Sequence, residues 1–241
     1  MRFKKIIRLF EDGNVSVCGM RGRGKDLLMA NVISRRKDIP YVSNIDYGGE
    51  YNEYDYNKLD VCNGYDNFIK GDVNKYVYPY PDGTDVYLSD AGIYYPSQYC
   101  NELNKKYPSV PVFMAISRHV GKCNFHFNAQ NLNRVWDKIR EQSDTYILCR
   151  RCIYIPLVNI VLQWVTVYDR YQSAVDRQKP LLLPIPLFAT KQTKQQAKIA
   201  LANYEATHGV IKNGFLIYKN KSKYDTRRFK DMLANGREVT K

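Results

Sequence analysis

The sequence has no apolar run long enough to cross a bilayer. The longest candidate, 153–168, is interrupted by Pro156, Asn159 and Gln163 and falls short of the roughly 20 residues a spanning helix needs. A secretory leader is missing as well: Met1-Arg2-Phe3-Lys4-Lys5 is basic, but the apolar run behind it is too short. The expectation is a soluble chain. Histidine is scarce, with three in 241 residues, and that bears on the six cysteines. Cys149-Arg150-Arg151-Cys152 has the spacing of half a zinc site, but no second pair and no suitable histidine completes it. The cysteines (18, 62, 100, 123, 149, 152) are scattered through apparent core segments, which a reducing compartment permits. Acidic residues are outnumbered, 24 against 37 Lys and Arg, giving a net charge of +13 and a pI of about 9.4. Such a balance suits a polyanionic partner: nucleic acid, nucleotide or an anionic membrane surface. It also suits a generally basic protein rich in Lys, Asn and Tyr. The length allows one large domain, or one domain plus an appendage, and is enough to bury a core without staples.

What is present centres on Gly19-Met20-Arg21-Gly22-Arg23-Gly24-Lys25-Asp26. An apolar run, Val15-Ser16-Val17-Cys18, precedes it, and Leu27-Leu28-Met29-Ala30-Asn31-Val32-Ile33 follows. Strand, glycine-rich turn and helix are the context of a phosphate-binding loop. Glycines let backbone N–H groups turn inward as an anion nest, and the helix N-terminus adds its dipole. Gly19, Arg21, Gly22, Arg23, Gly24, Lys25, Asp26 and Leu27 are the candidate nucleotide contacts, with Lys25 reaching the β- and γ-phosphates. One position departs from the pattern. A Ser or Thr should follow the lysine to ligate Mg²⁺, and here Asp26 stands instead. Its carboxylate repels the phosphates unless Mg²⁺ or Arg23 offsets it, yet a carboxylate can itself ligate Mg²⁺.

The first dozen residues read as a strand or a short helix. Residues 41–46 read as a second strand, stopped by Gly48-Gly49. Residues 47–84 form a Tyr-, Asn-, Asp- and Gly-rich insertion, either packed flat on the domain or free to stack bases. Asp85-Val86-Tyr87-Leu88-Ser89-Asp90 reads as a buried strand whose terminal Asp90 delivers a carboxylate to Mg²⁺; a turn-initiating Asp before Ala91-Gly92 is the plainer reading. Ala91 occupies the place of the Glu that serves as base. Residues 99–106 and 112–119 read as helices. Residues 123–130 alternate like a strand ending in Gln130, placed to hold the attacking water or sense the γ-phosphate, or simply to face solvent. Strand-like pieces through Tyr168 suggest an antiparallel extension with Pro156 at a bend. Residues 1–178 are therefore read as the core. Residues 179–241 are read as a Pro-rich connector with a basic helix and hairpin appendage, the hairpin signalled by Asn213-Gly214. The last fifty-one residues hold twelve Lys or Arg against four Asp or Glu, a nucleic-acid or membrane-surface contact or a solvated tail.

In this order the pieces resemble the zonula occludens toxin-like ATPases, filamentous-phage assembly proteins related to the DNA-pumping FtsK and HerA group. The resemblance runs over about residues 10–170. It rests on the loop Gly19 to Lys25, Val86 to Pro96, Ser117-Arg118-His119, Phe127-Asn128-Ala129-Gln130-Asn131 and 135–151. It implies an α/β, RecA-like P-loop NTPase core with a central, largely parallel sheet, an antiparallel extension and a basic C-terminal appendage. It implies ATP and Mg²⁺, with Lys25 as the phosphate lysine, Asp90 at the metal and Gln130 as sensor; Asp26 departs from that pattern and is a metal candidate on its own chemistry. Arg118 or Arg140 would act across a subunit boundary in a homo-oligomeric ring. The implied role is extrusion or packaging of a single-stranded viral DNA genome, in the host cytoplasm at the inner face of the inner membrane, with other phage assembly proteins. In that family a membrane span usually follows the ATPase domain; this chain shows none. Asp26 and Ala91 together leave a second reading open, a nucleotide-binding assembly scaffold with little or no hydrolysis.

Overall fold

The computed structural model describes residues 1–47, 52–53, 80–107, 109–120, 122–176 and 190–222. Most of the tyrosine-rich insertion, the Pro-rich connector and the end of the basic tail lie outside the described residues. Along the chain come α1 (Phe3–Asp12), β1 (Val15–Cys18), α2 (Lys25–Ile33), β2 (Tyr41–Ser43), β3 (Asn52–Glu53) and β4 (Asp85–Leu88). Then come α3 (Ala91–Tyr94), α4 (Cys100–Lys106), α5 (Ser109–Val120), β5 (Phe125–Ala129) and α6 (Asp137–Arg140). The last are β6 (Thr145–Ile155), β7 (Ile160–Tyr168), α7 (Tyr171–Val175), α8 (Lys191–His208) and β8 (Val210–Lys219).

The strands form one sheet in the order β3-β2-β4-β5-β1-β6-β7-β8. From β3 to β6 every pairing is parallel; β6–β7 and β7–β8 are antiparallel. The expected α/β core with a largely parallel sheet and an antiparallel extension is therefore what the chain builds. A parallel sheet needs both faces covered, so its strands bury side chains on both sides. β1, β4 and β5 are buried along their whole lengths. Alternation sends Val15, Val17, Tyr87 and Ile147 to a core shared with α1 and α2. Cys18, Leu88, Phe125, Phe127 and Leu148 go to the opposite core, with Tyr95, Met114 and Trp136.

Two strands, β4 and β5, stand between β1 and β2. The chain thus leaves β1 for a distant position and fills inward afterwards. This sets β1 at the centre of the sheet, with β5 on one side and β6 on the other. Ligands of open α/β sheets bind beyond the carboxyl ends of the parallel strands, and the glycine-rich loop leaves β1 at that end.

The expected C-terminal hairpin is not formed. Asn213-Gly214 does not turn: both residues lie inside β8, paired with Thr166 and Val165 of β7. The Asn213 side chain accepts hydrogen bonds from Trp164 Nε1 at 2.7 Å and Thr166 Oγ1 at 2.9 Å. A ready-made neighbouring strand outcompetes the local turn preference. β8 is accordingly an integral strand of the main sheet. Pro156 does sit at the bend foreseen for it, opening the short turn Pro156–Val158 between β6 and β7. No helix among the described residues is long and apolar enough to cross a membrane.

Candidate functional site

The loop after β1 winds through three glycines with positive φ, Gly19 at 147°, Gly22 at 75° and Gly24 at 78°. Gly24 caps α2 in the left-handed conformation, and the Leu28 amide donates to its carbonyl at 2.9 Å. The third glycine is also required by space. A Cβ at Gly24 would lie 2.6 Å from Cys152 Sγ and 3.1 Å from Gln163 Nε2. These two residues back the loop from β6 and β7. Gln163 is fully buried, and its Nε2 donates to the carbonyls of Arg23 at 3.1 Å and Gly24 at 3.0 Å. Its Oε1 accepts from Tyr218 Oη of β8 at 2.9 Å. Both thiols behind the loop, Cys149 and Cys152, are pushed up by burial, so they stay protonated and inert.

Lys25 is the first residue of α2, and only 6% of it is exposed. Among the described residues its ammonium makes no hydrogen bond and no ion pair. The stem is buried while the ammonium keeps contact with solvent, so an anion entering the loop can reach it. Within the loop the Arg23 amide donates to the Met20 carbonyl at 3.2 Å, and Lys25 opens α2 directly after it.

Asp26 points the other way, toward the tips of β4 and β5. Its Oδ1 accepts from Ser89 Oγ at 2.7 Å, Asn128 Nδ2 at 2.7 Å and Tyr47 Oη at 3.4 Å. These donors, not Arg23, satisfy it. Ser89 is itself clamped: its amide donates to Asn44 Oδ1 at 2.7 Å, and its carbonyl accepts from Asn44 Nδ2 at 2.9 Å.

Asp90 lies one residue beyond. β4 ends at Leu88, and Asp90 takes a left-handed conformation, φ 47° and ψ 53°, at the head of the four-residue α3. Its amide donates to Asn128 Oδ1 at 3.0 Å. Burial pushes its carboxyl up and the Asp26 carboxylate adds to that, while Lys25 pulls it down. Lys25, Asp26, Ser89 and Asp90 therefore share one electrostatic neighbourhood. Gln130 follows β5 directly, beside β1, and lines a pocket with Cys18, Gly19, Asn131 and Leu148. Hard oxygen donors are what Mg²⁺ takes, so the donor set of Asp26, Ser89 and Asp90 fits that ion. No cluster of three or more His, Cys, Asp or Glu side chains placed for a metal occurs among the described residues.

The two candidate arginine fingers are elsewhere. Arg118 pairs with Asp144 Oδ2 at 2.8 Å, and Asp144 also accepts from the Asn14 amide. That places Arg118 at the start of β1, the end of the sheet opposite the loop. Arg140 lies against the Tyr171 ring at 4.6 Å and donates to the Val135 carbonyl at 3.4 Å. Neither contacts the loop of its own chain. Arg21 is exposed, and Arg23 and Leu27 are half-buried. The residue types of Ser89, Asn128, Asn44, Gln163 and Tyr218 do not single them out in the sequence. For Ser89 and Asn128 a signal exists: each is polar and directly follows an apolar residue, Leu88 or Phe127, near the carboxyl end of its strand.

No family model matches the chain, and no curated protein does. Among solved structures, the N-terminal domain of zonular occludens toxin from Neisseria meningitidis is similar over 76% of this chain and 97% of that one, at 13% identity and a TM-score of 0.44. The genome packaging NTPase B204 from Sulfolobus turreted icosahedral virus 2, in complex with AMP, aligns over 71% of this chain and 99% of its own, at 15% identity and a TM-score of 0.39. ATPases 2 and 3 of EssC from Geobacillus thermodenitrificans align over 83% of this chain and 45% of theirs, at 13% identity and a TM-score of 0.39. At such identities and scores the fold rests on the sheet order and the loop geometry given above.

Proposed function

We propose that this chain binds ATP with Mg²⁺ at the loop after β1 and hydrolyses it to drive a single-stranded viral DNA genome through extrusion or packaging. The observation that carries the reading is Lys25, whose largely buried side chain ends, at the head of α2 and under a loop of three positive-φ glycines, in an ammonium unpaired among the described residues. A triphosphate supplies the missing negative charge. Mg²⁺, held by Asp26 and its neighbours, supplies charge neutralisation on the phosphate oxygens. Gln130 stands beside Gly19 to meet the γ-phosphate or the attacking water. In a homo-oligomeric ring, Arg118 or Arg140 of one subunit faces the site of the next. The working place is the host cytoplasm, at the inner face of the inner membrane beside other phage assembly proteins. Support for DNA as the cargo comes from the net charge of +13 and from the sequence resemblance to the phage assembly ATPases.

A specific observation favours a second reading, a nucleotide-binding assembly scaffold without hydrolysis. Ala91 stands where a base Glu is expected after Asp90, and Asp26 replaces the metal-binding hydroxyl. One experiment separates the two. ATP turnover and ADP binding are measured with and without single-stranded DNA, in the chain and in Lys25→Ala. DNA-stimulated turnover lost in the variant supports the motor; binding without turnover supports the scaffold; no binding removes both. The DNA contact has its own test. Truncation after Ser222 spares β8 and removes six Lys and Arg residues. If the tail binds single strands, the slope of log affinity against log salt falls by up to about 4. An unchanged slope excludes the tail.

A further inference from the structure

In phosphate-binding loops of this kind, a loop Ser or Thr and an acidic residue at a neighbouring strand end hold the cation between them. Here the loop carries the acid, Asp26, and the end of β4 carries the hydroxyl, Ser89, in direct hydrogen bond at 2.7 Å. Asn128 and Tyr47 donate to the same oxygen, Oδ1. Among the described residues Asp26 Oδ2 accepts no hydrogen bond, so the carboxylate is occupied on one side and open on the other. Lys25, 6% exposed and without a hydrogen bond or ion pair among the described residues, adjoins the same place and acts on Asp90.

Resting on the nucleotide-binding reading above, we propose that carboxylate and hydroxyl have exchanged sides. Asp26 is the protein's anionic ligand to the divalent cation, Ser89 is its hydroxyl partner from β4, and Asp90 is released from the metal to serve as base. The usual order along the acidic strand, metal residue then base, is thereby restored one position earlier: Ser89 then Asp90, rather than Asp90 then Ala91. Asn128 fixes both members, donating to Asp26 Oδ1 from Nδ2 and accepting the Asp90 amide at Oδ1. In hydrolysis the water oxygen bonds to the γ-phosphorus as the bond to the β,γ-bridging oxygen breaks. ADP leaves with that electron pair, and the water proton passes to Asp90.

The exchange has a reciprocal test that does not depend on turnover. ADP affinity is measured in the full-length chain in EDTA and in Mg²⁺, and bound Mn²⁺ is followed by electron paramagnetic resonance in the presence of ADP. In the starting protein Mg²⁺ tightens ADP binding, and a protein-bound Mn²⁺ signal forms. Asp26→Ser loses both effects by removing the anionic ligand. The double variant Asp26→Ser/Ser89→Asp regains them, because it restores one acid and one hydroxyl. Asp26→Asn, which keeps the acceptor for Ser89 and so the local fold, retains ADP affinity in EDTA and loses the Mn²⁺ signal. Asp90→Asn keeps the cation effects and loses turnover. The proposal is overturned if Asp26→Asn keeps the Mn²⁺ signal, if Asp90→Asn loses it, or if the double variant is no better than Asp26→Ser. Absence of ADP binding by the starting protein in both conditions overturns the nucleotide reading itself, an outcome separate from all of these.

Discussion

Gln163→Met tests whether the antiparallel extension holds the loop in shape. The substitution keeps the side-chain length and removes the amide. Two donations to loop carbonyls disappear, at 3.1 Å to Arg23 and 3.0 Å to Gly24, together with the acceptor for Tyr218 at 2.9 Å. The Gly24 carbonyl keeps the Leu28 amide, so the groups most exposed to loss are the Tyr218 hydroxyl and the Arg23 carbonyl. A buried polar group left unsatisfied costs about 1–3 kcal/mol. The Tyr218 hydroxyl bears this in full, whereas the partly buried Arg23 carbonyl recovers some of it from water. The total is about 2–4 kcal/mol, and at roughly 2–4 °C per kcal/mol for a chain of this size the melting temperature drops on the order of 10 °C. Leu216→Ala is the control. Leu216 is fully buried on β8, and its truncation costs a comparable ~2–5 kcal/mol. Urea unfolding gives both stabilities, and calorimetry gives ADP affinity at a temperature where both variants are folded. Gln163→Met weakens ADP at least about tenfold, equivalent to ~1.4 kcal/mol, while Leu216→Ala leaves it within about twofold. Equal ADP affinity in the two variants would refute the idea that Gln163 shapes the loop.

Two further outcomes are expected. Gly22→Ala and Gly24→Ala both pay about 1–2 kcal/mol for a left-handed alanine, but a Cβ at Gly22 meets open space while one at Gly24 runs into Cys152; ADP titration should show a modest loss for the first and abolished binding for the second. Acid sensitivity begins at His126, which is fully buried at the far end of the sheet. Its Nδ1 accepts from the Val15 amide, and its Nε2 faces Asp85 Oδ2 at 3.7 Å, too long for a hydrogen bond. Burial pushes its pKa down, against the pull of Asp85. The unfolded imidazole therefore takes up a proton below about pH 6.5 while the folded one does not, and stability is lost as pH falls, by up to ~1.4 kcal/mol per pH unit. For Asp85 burial works upward, but His126, Arg36 and the Asn124 amide outweigh it and hold the carboxyl low. Its contribution is thus present above about pH 4 and lost only below. Urea midpoints from pH 8 to 5 should fall in the starting protein and stay flat in His126→Gln.

The features legible in the sequence are those decided by neighbours in the chain. Val15 to Ile33 spell strand, loop and helix by local pattern alone, and the run from Thr145 to Tyr168 shows its strands by composition and its bend by Pro156. Asp26 reads as a defect because its offsetting partners, Ser89 and Asn128, are 63 and 102 positions away. Their meaning depends on the side-by-side order of β1, β5 and β4 in the sheet, which no local pattern states. Asp90 reads as the last residue of its strand because acid follows an apolar run, but the chain leaves β4 at Leu88 and the left-handed turn moves Asp90 one step on. The Asn213-Gly214 signal misleads for the opposite reason: a strong local preference yields to pairing with β7.

The clamp on the loop also orders events in time. Gly24 is held by Gln163, and Gln163 by Tyr218. During synthesis the amino-terminal part of a chain emerges and folds first. The phosphate loop is therefore translated almost at once, yet its support is complete only when β8 arrives. A nascent or 3′-truncated product would carry every loop residue and still lack the finished cradle. The shape of a loop near the start of the chain thus depends on one of the last strands to be made.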